Sequence, residues 1–162
     1  MRSLAQWLDD YEVCHTHATN RLIHHICVPA IQFSLLGLLW LVALPLPEDW
    51  PYFISNLAFM LLVPAMVFYF MLSWRIAIGM LLLSLLMLAV IHFTFHTGML
   101  LELSITVFLT AWVGQFIGHM IEGKSPSFFE DLRFLLIGPL WVLSHLYTAV
   151  GLPQDGLDTD VN

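Results

Sequence analysis

Long apolar runs separated by short polar breaks dominate the chain. The runs cover residues 26–44, 52–72, 76–95, 99–121 and 132–150. Each approaches the roughly 20 apolar residues that a helix needs to cross the hydrocarbon core of a bilayer. The breaks carry turn chemistry: "PLPEDWP" at 45–51, "SWR" at 73–75, "HTG" at 96–98 and "EGKSPSFFEDLR" at 122–133. Five transmembrane helices are predicted. The second and third breaks are short, and fusing one central pair into a single tilted or re-entrant segment leaves four and reverses the last helix. Residues 1–11 follow another rule, with Leu4, Trp7, Leu8 and Tyr11 at three- and four-residue spacing among polar neighbours. That periodicity predicts an amphipathic helix lying in the membrane interface as a lid or anchor. The predicted class is thus an all-α polytopic membrane helix bundle with an interfacial helix in front. Residues 1–150 form one domain, within which 1–25 hold the interfacial helix and a histidine-rich entry segment. Residues 151–162, with Gly, Pro and three Asp, are expected to be a disordered acidic tail.

Composition agrees, since 59% of the 162 residues are hydrophobic and only 10% are charged. The first residues carry Asp9, Asp10 and Glu12 and lack the apolar stretch of a cleavable signal peptide. Charge then orients the bundle. Arg2 and Arg21 precede the first run, Arg75 divides the second from the third, and Lys124 and Arg133 divide the fourth from the fifth. With five spans all five cations share one side, so the positive-inside rule predicts a cytoplasmic N-terminus and an outer C-terminus, as in a bacterial inner membrane protein. A net charge of −7 excludes a nucleic-acid partner, because phosphate binding needs a basic patch. Two cysteines, Cys14 and Cys27, are too few for a disulfide framework.

Four of the eight histidines fall in "YEVCHTHATNRLIHH", residues 11–25, just before the first run. The predicted topology places His15 and His24 at the same membrane level as His119, near the end of the fourth run. On that run Trp112, Gln115, His119 and Glu122 are spaced by three, four and three and share one helical face. Asn20 and His24 share another, with His25 turned about 100° away to pack or snorkel. Polar side chains at membrane depth are costly and point into the bundle or a wet cavity. A single histidine there is usually a hydrogen-bonded packing residue, but three at one level suit an open, catalytic type of metal site for iron or zinc. His92 and His96, with Glu102 nearby, lack a third clear partner and are read as structural or proton-handling. His145 is read as a hydrogen-bonding core residue.

The spacing Tyr11-x3-His15-x4-Asn20-x3-His24-x4-Pro29, followed by Trp112-x2-Gln115-Phe116-x-Gly118-His119, then Glu122 and Pro126, resembles a family of small membrane proteins. Long filed as a domain of unknown function, its characterised fungal member is the 2-hydroxy fatty acid dioxygenase of the endoplasmic reticulum. The resemblance covers residues 11–141, and "HMIEGKSPSFFEDLRFLLIGPLW" at 119–141 is similar to the bacterial branch. Two departures stand out: one residue fewer separates His119 from Glu122, and His17-Ala18 replaces a frequent Asn-Pro, so Thr16 or Thr19 is expected to cap the first helix and His17 to be incidental. The resemblance implies alpha-oxidation, in which a 2-hydroxy fatty acid loses its carboxyl carbon with consumption of dioxygen. Fe(II), with zinc as the alternative metal, would be held by His15, His24 and His119. Tyr11 and Glu122 would be catalytic, Tyr11 through a hydrogen bond to the head group. Asn20, Gln115 and Lys124 would orient ligands or bind substrate, Glu122 sharing the orienting role, and the acyl tail would stay in the bilayer. Competing readings are a haem- or lipid-binding membrane protein without catalysis and a zinc-dependent lipid hydrolase.

Overall fold

The computed structural model describes residues 2–47, 49–123 and 135–154. Among them are six helices and no strand: α1 (Leu4–Glu12), α2 (Ala18–Trp40), α3 (Leu57–Leu72), α4 (Trp74–His96), α5 (Leu100–Glu122) and α6 (Ile137–Ala149). Three of them, α2, α4 and α5, have 23 residues each and are long and apolar enough to cross a membrane. With α3 at 16 residues and α6 at 13, two of the five predicted spans are shorter than a full crossing. The chain is therefore an all-helical membrane protein with three full-length apolar helices among the described residues.

Local chemistry accounts for the boundaries. Ser3 opens α1 with a capping box: its hydroxyl accepts from the Gln6 N–H at 3.2 Å, and its own N–H donates to Gln6 Oε1 at 3.0 Å. Leu4, Leu8 and Tyr11 form the buried face of α1, which packs against α6. The first long helix starts well before its apolar run, because His17 is its N-cap, Nδ1 accepting from the Thr19 N–H at 3.2 Å. Neither threonine caps it, and His17 is not incidental. Its early start also places His24 two turns inside α2 rather than ahead of it. Asn56 caps α3, while Ser73 ends α3 and caps α4, so one residue suffices where the sequence shows a three-residue break. Gly123, at φ 73°, closes α5 in the left-handed conformation that glycine adopts without a Cβ penalty. Beyond α6, Gln154 is buried and tied back to that helix: its oxygen accepts from Ser144 Oγ at 2.6 Å and its amide donates to Thr148 Oγ1 at 2.9 Å. The tail expected to be disordered from residue 151 thus begins with an anchored residue, and residues 155–162 lie outside the described residues.

The central helix is α2, which packs against α3, α4 and α6 and most extensively against α5. Small residues let α2 and α5 approach along their length. A Cβ on Gly37 would strike Ser104 Oγ, one on Gly114 would come within 2.6 Å of Cys27 Sγ, and one on Gly118 would strike Asn20 Oδ1 and lie 3.3 Å from His24 Cε1. The pairing runs antiparallel and brings His119 beside His24. Two apolar clusters flank this seam. One joins α1, α3, α4 and α6 around Tyr69, Ile76, Met80 and Trp141, and the other closes the far end of α2 around Trp40, Leu88 and Ile91.

Candidate metal centre

Three imidazoles from three segments converge beside the first cluster. His15 comes from the link between α1 and α2, His24 from α2 and His119 from the last turn of α5. Ring centroids are 4.2 Å apart for His15 and His24, 5.0 Å for His24 and His119, and 5.7 Å for His15 and His119. One nitrogen from each lies within 4.8 Å of the others. All three residues are buried, at 4%, 1% and 6% exposure. Among the described residues this is the one group of three or more ligand-type side chains that meets such a distance.

The rings are oriented through their other nitrogens. His15 Nδ1 lies 2.6 Å from the Tyr11 carbonyl and His24 Nδ1 lies 3.0 Å from the Asn20 carbonyl. A carbonyl only accepts, so each Nδ1 carries the proton and donates, which leaves Nε2 as the nitrogen able to act as a ligand. Hydrogen bonding of the distal ring nitrogen to a carbonyl is the usual means by which a protein sets the tautomer of a metal-binding histidine. The donor set therefore suits a divalent transition metal: neutral nitrogens, buried and pointed into one small space.

Around this core the predicted residues that fall among the described ones have definite places. Tyr11 stacks on His15 with centroids 4.3 Å apart and planes 7° from parallel, and Trp141 packs against both at 5.3 and 5.5 Å. Asn20, fully buried, holds His24 through its carbonyl while its amide donates to the Cys14 carbonyl at 3.3 Å and to Glu122 Oε2 at 3.1 Å. Gln115, one turn before His119, reaches the His24 ring with its side chain. Glu122 spends both oxygens on the entry to α2. Its Oε1 accepts from the Thr16 N–H at 2.9 Å and from the Thr16 hydroxyl, and its Oε2 accepts from the His17 N–H at 2.9 Å and from Asn20. A carboxylate at a helix N-terminus meets unsatisfied N–H groups and the positive end of the dipole. This latch ties the end of α5 to the start of α2 and so holds His119 against His15 and His24. Lys124 lies outside the described residues, as does Pro126.

The other histidines stand apart. His25 donates through Nδ1 to the Arg21 carbonyl at 2.6 Å and packs against Trp141 and His145. His145 bonds the Trp141 carbonyl at 3.0 Å and accepts from Arg21 at 2.9 Å, a hydrogen-bonding role as expected, but at a half-buried position and not in the core. His92 and His96 pair at 4.6 Å near the far end of α2, both exposed, beside Trp40 and Phe53. Sequence reasoning missed Trp141, the packing role of Gly118 and the capping role of His17. Gly114-x3-Gly118 carried a signal, since that spacing marks a close helix crossing in membranes. Nothing local distinguishes Trp141.

The model of the family described as "2-hydroxy-palmitic acid dioxygenase Mpo1-like" matches residues 1–150. The chain belongs to that family. No curated protein and no solved structure among those compared matches it.

Proposed function

From that membership, we propose that the protein is an iron(II)-dependent membrane dioxygenase that converts 2-hydroxy fatty acids to acids one carbon shorter. The observation that carries the reading is the convergence of three buried imidazoles whose ligand nitrogens lie within 4.8 Å of one another, two of them oriented by backbone carbonyls. The same tightness argues against haem, whose porphyrin would have to pass between two axial rings where the third imidazole stands.

His15, His24 and His119 would hold the metal, and the ion would supply a Lewis-acidic centre at which dioxygen and the hydroxy acid meet. Three protein ligands would leave room at the ion for the 2-hydroxyl and the carboxylate. The chain's own groups do the rest. Tyr11, flat against His15, would donate its hydroxyl to the carboxylate head. The Tyr11 and Asn20 carbonyls keep both Nδ1 protons in place, so neither ring turns away when substrate enters. Gln115 orients His24, and Glu122 keeps α5 latched to α2 while serving the site through Thr16, His17 and Asn20. Burial against Trp141 excludes bulk water from the rings. The overall change balances without a reductant: R–CH(OH)–COOH and O2 together contain the atoms of R–COOH, CO2 and H2O, and the hydroxy acid supplies all the electrons.

In the membrane the N-terminus and the histidine centre would face the cytoplasm, with the carboxylate head at the surface and the acyl tail among the helices. The deciding experiment supplies the purified full chain with iron and a 2-hydroxy fatty acid, with and without oxygen. Shortened acid should form only under air and in proportion to bound iron. Equal rates without oxygen, or activity after exhaustive metal removal, would refute the reading.

A further inference from the structure

A cavity of about 90 Å³ lies against α2 between residues of α5 and of the start of α6, and no step above uses it. A single water needs only about 10–15 Å³ of such space, so this cavity is sized for something larger. Its rim carries Tyr11 and Gln115, which belong to the histidine centre, and its walls include Val28, Ile31 and Pro139. Space is kept open by Gly138, where a Cβ would come within 3.2 Å of both the Tyr11 hydroxyl and Val28. Gln32 and Trp112 also line it. At 1.5 Å per residue Gln32 lies about 12 Å beyond His24 along α2, and Trp112 about 10 Å from His119 along the antiparallel α5. The cavity therefore runs from Tyr11 and Gln115, which touch the histidines, toward the middle of α2.

Gln32 is anomalous there. Its Oε1 is buried without a hydrogen-bond partner among the described residues. A buried amide oxygen needs a donor, and none of the groups that line the cavity bonds this one. We infer that this cavity receives the acyl chain of the substrate and that Gln32 sets the far limit of that chain. The inference rests on the 2-hydroxy acid reading for the head group at the histidines. A chain that stops short leaves the amide undisturbed, whereas a longer one must press methylenes, which cannot donate, against it. Affinity should rise about fourfold with each methylene buried and level off where the chain meets Gln32.

The test reads binding rather than turnover. A ladder of 2-hydroxy acids of increasing length competes, without oxygen, against a fatty acid bearing a diazirine at its chain end, on the full chain in detergent. The photolabel should attach at Ile31, Gln32 or Trp112 and be displaced by the ladder. Affinity should level off at a definite length in the wild type. In Gln32→Leu the plateau should move to longer chains, raising the preference for long over short acids about tenfold, the scale of removing a buried amide's desolvation. Ile31→Trp, which fills the cavity, should move it to shorter ones. A plateau at the same length in all three proteins, or labelling confined to the exposed face of α4, would overturn the assignment. A length ladder without oxygen-dependent product would instead strike the dioxygenase reading and leave the cavity standing.

Discussion

The two ends of α2 carry contrasting histidine groups. At one end His15, His24 and His119 come from three segments, are buried, and present nitrogens to a common point. At the other, His92 and His96 come from one helix, are exposed, and meet mainly aromatic rings. Both contain an orderly spacing, and the i, i+4 pair of the second is a familiar two-ligand clip. What separates them is the carbonyl bonding of Nδ1 in His15 and His24 and the third ring delivered by α5. Competence to hold an ion follows from convergence of segments, which spacing along one helix does not supply.

The contrast is broken most directly by removing a ring from each end. His119→Ala should abolish bound metal and lower turnover by more than the roughly 10–100-fold typical of losing a partner that only orients a ligand. His96→Ala should retain its metal. Elemental analysis of the two purified variants decides the matter, and metal loss from His96→Ala would reverse the comparison.

Gly118→Ala tests whether the α2–α5 approach assembles the first group. The added methyl meets Asn20 and His24. Overpacking of this kind costs about 1–3 kcal/mol. Thermal unfolding in detergent should fall accordingly, with metal content falling alongside it. A destabilised variant that keeps full metal occupancy would show that the rings assemble without the close crossing.

Glu122→Gln keeps the shape of the latch but turns one acceptor into a donor facing N–H groups. Metal affinity should drop by about tenfold, measured by competition with a chelator of known strength. An unchanged affinity would confine the latch to folding. The smallest effect belongs to the outer pair: His92→Phe should shift stability by no more than about 0.5 kcal/mol, as expected for exposed positions, with no change in metal titration.

Much of the site was legible because the membrane converts sequence position into depth. Apolar runs located the helices, and their predicted alternation put His15, His24 and His119 together, as the structure has them. The spacing of Trp112, Gln115, His119 and Glu122 on one face correctly set Gln115 and His119 on the side of α5 that meets α2, both buried. Other features were hidden for physical reasons. A histidine serves as an N-cap only if its ring can turn back onto the Thr19 N–H, so His17 looked idle beside two threonines. The shortness of α3 and α6 could not be seen in hydropathy, which counts apolar residues without asking where a helix is capped. Trp141 and Gln32 resemble other residues of their runs until their neighbours are known.

By itself the sequence determined a helical membrane protein and the polar residue types that its helices offer, because hydrocarbon permits few backbone solutions and penalises every misplaced polar group. Tertiary structure decided which nitrogens face one another, which carbonyls hold them, and that Glu122 ties two helices together across more than a hundred residues of chain. Those outcomes depend on how closely α2 and α5 pack and how they are rotated about their axes. Both are fixed by glycine contacts and side-chain packing that no periodicity along a single helix encodes.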